Sequence, residues 1–141
     1  MLIIREEDVA GLVTPEDALV AVRDALASMV AGRAANFPVL REALGAGRQF
    51  GFKSGIDRGA GQLGVKAGGY FAGNAGRGLT NHQSNVWLFD PESGVPLAMV
   101  GGNLLTALRT AAASALSVAL LARPEARVLG IVGAGHQAAF Q

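Results

Sequence analysis

Directly behind an apolar run, Arg127 to Val132, the chain reads Gly133-Ala134-Gly135-His136-Gln137-Ala138. This fits G-x-G-x-x-G/A placed between a strand and a helix, the pattern that cradles a dinucleotide pyrophosphate. The first glycine makes the tight turn and the second lets backbone approach the phosphates. Ala138, in the third position, lets the helix pack close to its strand. The helix start then offers free amide N–H groups and a positive dipole end. An ordinary glycine-rich turn satisfies the same pattern. The acidic residue that confirms such a site stands about 20 positions further on, past Gln141.

The rest of the composition narrows the classes. Half of the 141 residues are apolar and 16% are charged, which excludes an intrinsically disordered chain. A net charge of +1, with no run of Lys or Arg, argues against nucleic acid or an anionic membrane as partner. There is no cysteine, so thiolate metal sites and thiol nucleophiles are excluded. The most apolar stretch, Thr110 to Ala122 between Arg109 and Arg123, is 13 residues, against about 20 for a bilayer span. The first eight residues turn acidic early and do not read as a signal peptide. A cytoplasmic protein is the expectation.

Patterning along the chain predicts an α+β order. Leu2 to Ile4 reads as a strand and Glu6 to Leu12 as one or two helical turns. Thr14-Pro15-Glu16-Asp17 is a helix start, with a capping hydroxyl, proline at the first position and acids at the positive end. Behind it Leu19, Val22, Leu26, Met29 and Val30 share one helical face. Short β-like runs follow at Val39–Leu44, Arg48–Ile56, Leu63–Phe71 and Ser84–Phe89. Asp90 to Gly94 is a turn into a strand over Val95–Val100. Asn103 or Thr106 caps a helix to about Ala122. Its apolar face is Leu105, Leu108, Ala112, Leu116, Ala119 and Leu120, slim enough for close packing. Arg127 to Val132 reads as a buried strand. No local rule explains the many glycines between Gly59 and Gly78.

Four pieces, in order, then resemble the ornithine cyclodeaminase/mu-crystallin family. They are Gly64-Val65-Lys66; Leu79 to Ser84 with Val86 to Asp90; Leu105 to Ala112; and Gly133 to Ala138. The resemblance implies an α+β N-terminal substrate and dimerisation domain, residues 1–125. A truncated Rossmann-like α/β domain, residues 126–141, would follow with its first strand and glycine loop. It also implies NAD(P) as cofactor, a homodimer, and an amino acid or cyclic imine as substrate. By that reading the 141 residues alone are expected to be inactive.

Several residues match family positions. Arg41 and Arg109 match arginines that hold the substrate carboxylate, for which a planar guanidinium fork is suited. Without the family, Arg41 also reads as a solvated strand arginine. Arg109 lies in the first turn of its helix, where a cation opposes the dipole. Lys66 is one of two lysines against ten arginines and sits in an apolar, Gly-bounded strand. Desolvation there would lower its pKa and let it move protons; the family has a catalytic lysine at this position. An edge-strand lysine is the bland alternative. Lys53 has no clear counterpart and reads as structural. Asn81 and His82 match substrate-side positions, His82-Gln83 following the mu-crystallin branch. Asn81 stands where the cyclodeaminase branch has a threonine. Gly133, Ala134, Gly135, His136, Gln137 and Ala138 would touch the cofactor.

The resemblance implies hydride transfer at an α-carbon through an imine. The first expectation is a deaminating, cyclising enzyme of the ornithine cyclodeaminase type. The alternative on the same fold is an NAD(P)H-dependent cyclic ketimine reductase or amino-acid dehydrogenase. An alternative of another class is a non-catalytic, crystallin-like protein that binds NADPH and a ligand.

Overall fold

The computed structural model describes residues 1–141. Its centre is one seven-stranded sheet built from β1 (Leu2–Ile4), β2 (Ala34–Asn36), β3 (Leu40–Gly45), β4 (Arg48–Asp57), β5 (Gln62–Phe71), β6 (His82–Phe89) and β7 (Pro96–Gly101). The order is β1-β7-β6-β5-β4, and β2 and β3 share the outer edge of β4. Pro38 sits between these two short edge strands, where a missing N–H interrupts the ladder at little cost. Every pairing is antiparallel except β1 with β7. The helices are α1 (Glu6–Val9), α2 (Pro15–Val30) and α3 (Asn103–Leu121), with short helical turns at Ala75–Arg77 and His136–Phe140. The α+β expectation holds, and β1 and β3 to β7 form where patterning predicts strands, whereas the short edge strand β2 is one that patterning does not predict.

The start of α2 follows its local chemistry. The Thr14 hydroxyl accepts from the Asp17 amide at 3.1 Å, and the Asp17 carboxylate accepts from the Thr14 amide at 3.0 Å. The start of α3 does not. Neither Asn103 nor Thr106 caps it. The Glu6 carboxylate reaches across the chain to accept from the amides of Asn103 (3.0 Å) and Leu104 (2.7 Å). Gly101 makes room for this approach: a Cβ there would lie 2.7 Å from both the Glu6 amide and its Oε2. Two charge-assisted bonds at a helix start are worth about 1–2 kcal/mol. Glu6→Ala is therefore expected to lower stability by about that amount, read as a lower midpoint in urea unfolding.

The expected faces of α2 and α3 are buried only in part: Val22, Leu108 and Ala112 lie at the contact as expected, and Ala18 is added to it. Ala18 of α2 and Leu108 and Ala112 of α3 form the core between them, with Val22, Leu104 and Phe140 packed around. Leu26, Met29 and Val30 stay exposed, as do Leu120 and Leu121 at the far end of α3. Alanine at the contact brings the two helices close, so the larger side chains splay to the sides. By length and mean hydropathy (1.7) the 19-residue α3 could cross a membrane, but Thr106, Ala107, Leu108 and Ala112 are packed in this fold. The run Arg127 to Val132 forms no strand. Val128 and Val132 are fully exposed there, because no strand of the sheet lies beside them to complete a ladder.

Candidate functional site

The β4–β5 ladder sets Lys53 opposite Lys66, Gly51 opposite Gly68 and Gln49 opposite Tyr70. Outward from these, Arg41 of β3 faces Gly51, while Ser84 and His82 of β6 face Gly68 and Tyr70. Side chains alternate along a strand, so all of these project from one face of the sheet. Two facing glycines leave a bare floor in its middle. Gly68 has no alternative, since a Cβ there would lie 2.6 Å from the Ser84 Cα. That close approach is one reason for the glycines of this segment. Thr106, Arg109 and Thr110 of α3 overhang the floor, and Gly135, His136 and Gln137 close one end. The result is a cavity of about 890 Å³.

This single cavity gathers Arg41, Lys66, Asn81, His82, Arg109, Gly135, His136 and Gln137, the site residues expected from the sequence. Gly133, Ala134 and Ala138 do not line it. Lys53, read above as structural, does line it. Its strand was evident from the sequence; the residue it would face was not. Arg109 is the seventh residue of α3, near the end of its second turn. The dipole conflict expected of a first-turn arginine is accordingly small.

The Lys66 amine is held rather than free. Nζ donates to the Thr106 hydroxyl at 2.8 Å and lies 3.2 Å from His82 Nε2. The Thr106 proton is committed to the Gly102 carbonyl at 2.6 Å, so its lone pairs are left for Lys66. Burial lowers the Lys66 pKa from 10.5 to about 8, with Arg109 and Lys53 pushing the same way. Burial, followed by the charges of Lys66, Arg109 and Lys53, also lowers the pKa of His82. An ammonium has no lone pair, so next to charged Lys66 the His82 Nε2 must accept and its proton sits on Nδ1. Asn81 braces the rim, donating to the Tyr70 hydroxyl at 3.1 Å and accepting from the Ala75 amide at 3.1 Å.

Thr106 is the functional residue that sequence reasoning missed. Its signal was its position three residues before Arg109, on the same helix face. Thr106→Val keeps the shape and removes the acceptor. We expect kcat of the full-length protein to fall about tenfold, one hydrogen bond's worth, with Thr106→Ser close to wild type. Steady-state kinetics of the two variants checks this.

The charge balance of the cavity is one-sided. Arg41, Lys53, Lys66 and Arg109 line it, and no Asp or Glu does. The three ion pairs of the chain lie elsewhere, at Arg5 and Arg23. Arg41, Lys53 and Arg109 form no side-chain hydrogen bond. No group of His, Cys, Asp or Glu gathers to hold a metal. Such a cavity suits a carboxylate ligand.

The glycine loop is also compatible with a dinucleotide. Gly133 is left-handed at φ +99°. Gly135 is extended, at φ −79° and ψ −178°, and a Cβ on it would meet nothing within 4 Å. Neither conformation nor packing within the chain calls for glycine at 135. The Gln137 side-chain oxygen is buried here without a partner.

The chain is similar to several known proteins. An iminosuccinate reductase of Paracoccus denitrificans is 56% identical over 142 residues, covering the whole chain and 44% of its own length. The crystal structure of that reductase with NAD+ superposes with a TM-score of 0.92, covering 100% of this chain and 44% of that one. A Thermococcus litoralis Δ1-pyrroline-2-carboxylate reductase, solved with NADH and L-proline, gives 0.94 at 28% identity over 99% of this chain and 44% of that one. An Archaeoglobus fulgidus alanine dehydrogenase is 31% identical over 140 residues, 99% of this chain and 42% of its own. The chain thus spans under half the length of these relatives. They are named as reductases and a dehydrogenase, so the reductase alternative is better supported than the cyclodeaminase reading. Residues 1–141 match one family profile over their full extent, and the chain belongs to the ornithine cyclodeaminase/mu-crystallin family, whose members use NAD(P).

Proposed function

We propose that this chain forms the substrate-binding part of an NAD(P)H-dependent reductase that converts an α-imino acid to the amino acid. The observation that supports it is the cavity holding a partly desolvated lysine among unpaired arginines, with no acid of its own. Arg109 and Arg41 bind and orient the α-carboxylate, so that the imine carbon is presented to one side. Lys66, charged below its pKa of about 8, donates a proton to the imine nitrogen. Thr106 and His82 hold that amine in place. The reduced nicotinamide, when bound, supplies the hydride that the imine carbon takes. Gly133, Gly135 and the amides of the following turn would hold its phosphates.

The name of the Paracoccus relative makes iminosuccinate the first substrate to try. We further read the uncovered face of the sheet, where Phe50 and Phe52 stack edge to face beside Leu40, as the seat of a homodimer contact. The full-length protein should be mixed with NADH or NADPH and with imines formed from ammonia and oxaloacetate or pyruvate. Δ1-pyrroline-2-carboxylate and L-ornithine complete the set. Oxidation of the reduced nucleotide with an imine supports the proposal. Ammonia release from ornithine without net nucleotide turnover would restore the cyclodeaminase reading.

A further inference from the structure

The reductase reading leaves Lys53 without a role, and its position is costly without one. It stands directly across the β4–β5 ladder from Lys66, the pairing in which like charges destabilise a sheet. No carboxylate of the chain lies in the cavity to relieve them. Lys66 is anchored to Thr106 and His82, whereas the Lys53 side chain forms no hydrogen bond and is exposed to the cavity. Polar residues that break a local rule in this way are commonly functional.

The charge count points in the same direction. One α-carboxylate engages the two arginine forks. A substrate with a single negative charge would leave Lys53 facing Lys66 with nothing between them. Cross-strand side chains start about 5 Å apart. That is the same order as the distance between two carboxylates joined through two carbons. Resting on the proposed reductase reading, we infer that Lys53 binds the distal carboxylate of a dicarboxylate imine and so selects a four-carbon dicarboxylate over monocarboxylates.

The test is a substrate comparison on the full-length protein. Lys53→Met and Lys53→Arg are assayed with the imine of oxaloacetate and with the imine of pyruvate, each across a pH series. We expect Lys53→Met to lose about 10- to 100-fold in kcat/KM for the dicarboxylate, mostly through KM, as for one charge-assisted contact. The monocarboxylate rate should change less than threefold, and Lys53→Arg should recover most of the loss. Calorimetric titration with succinate should show the same weakening in Lys53→Met. An equal loss on both substrates, or only a shifted pH profile, would overturn the assignment and make Lys53 a neighbour that tunes Lys66. If wild-type protein reduces neither imine, the reductase reading itself fails. If it reduces the dicarboxylate and Lys53→Met does so equally well, only the assignment to Lys53 fails.

Discussion

Lys66→Met is expected to lower kcat about 100- to 10,000-fold, the range typical of losing a general acid. Methionine fills nearly the same volume, so folding should survive and circular dichroism should match wild type. The wild-type pH profile of kcat/KM should be flat below about pH 8 and fall above it, as Lys66 loses the proton that it must donate. A methionine side chain carries no such proton, so that limb should vanish from the residual activity of the variant. The same residue also affects stability. Its pKa is lower in the folded chain than in the unfolded one, so between about pH 8 and 10.5 the unfolded state binds more protons. Stability should therefore rise with pH across that window in wild type and rise less in Lys66→Met. A residual activity that keeps the limb near pH 8 would take Lys66 out of the mechanism.

The second large effect belongs to Arg109. A guanidinium that binds a carboxylate by two parallel bonds fixes orientation as well as affinity. Arg109→Leu should cut kcat/KM about 100- to 1,000-fold, combining a lost charged contact with a lost alignment. Arg109→Lys should restore charge but not the fork, and recover only part of KM. Arg109 also pushes the Lys66 pKa down, so Arg109→Leu should move the basic limb to higher pH. That shift distinguishes a residue inside the cavity from one acting through general instability. Unchanged kinetics in Arg109→Leu would exclude the carboxylate-binding role.

What could be read from the sequence was what neighbours in the chain decide. The Thr14–Asp17 box, the Asp90–Gly94 turn and the strand runs depend on residues a few positions apart, and the structure keeps them. The resemblance named most of the cavity lining because its motifs sit at the ends of strands and helices that converge. Long-range pairing was not readable. Alternation shows which residues share a face of β4, but not that Lys53 would stand across from Lys66. Apolar spacing on α2 pointed to Leu26 and Met29, while the contact with α3 selected the smaller Ala18. Arg127 to Val132 has the composition of a strand, but a ladder needs a partner, and composition does not supply one.

The clamp of Glu6 on the start of α3 has a consequence for how the chain is made. β1 pairs with β7, joining Leu2 to Ala98, and Glu6 caps amides at 103 and 104. Both contacts close loops of nearly a hundred residues, and such closures slow folding. During synthesis β1 would wait, with its backbone groups unpaired, until β7 and the start of α3 leave the ribosome. The central hairpins from β4 to β7, each closed locally, could form first and serve as a template. A circularly permuted chain that starts between β2 and β3 and joins Gln141 to Met1 through a flexible linker, keeping the Gly135–Gln137 wall, should refold faster with the same cavity.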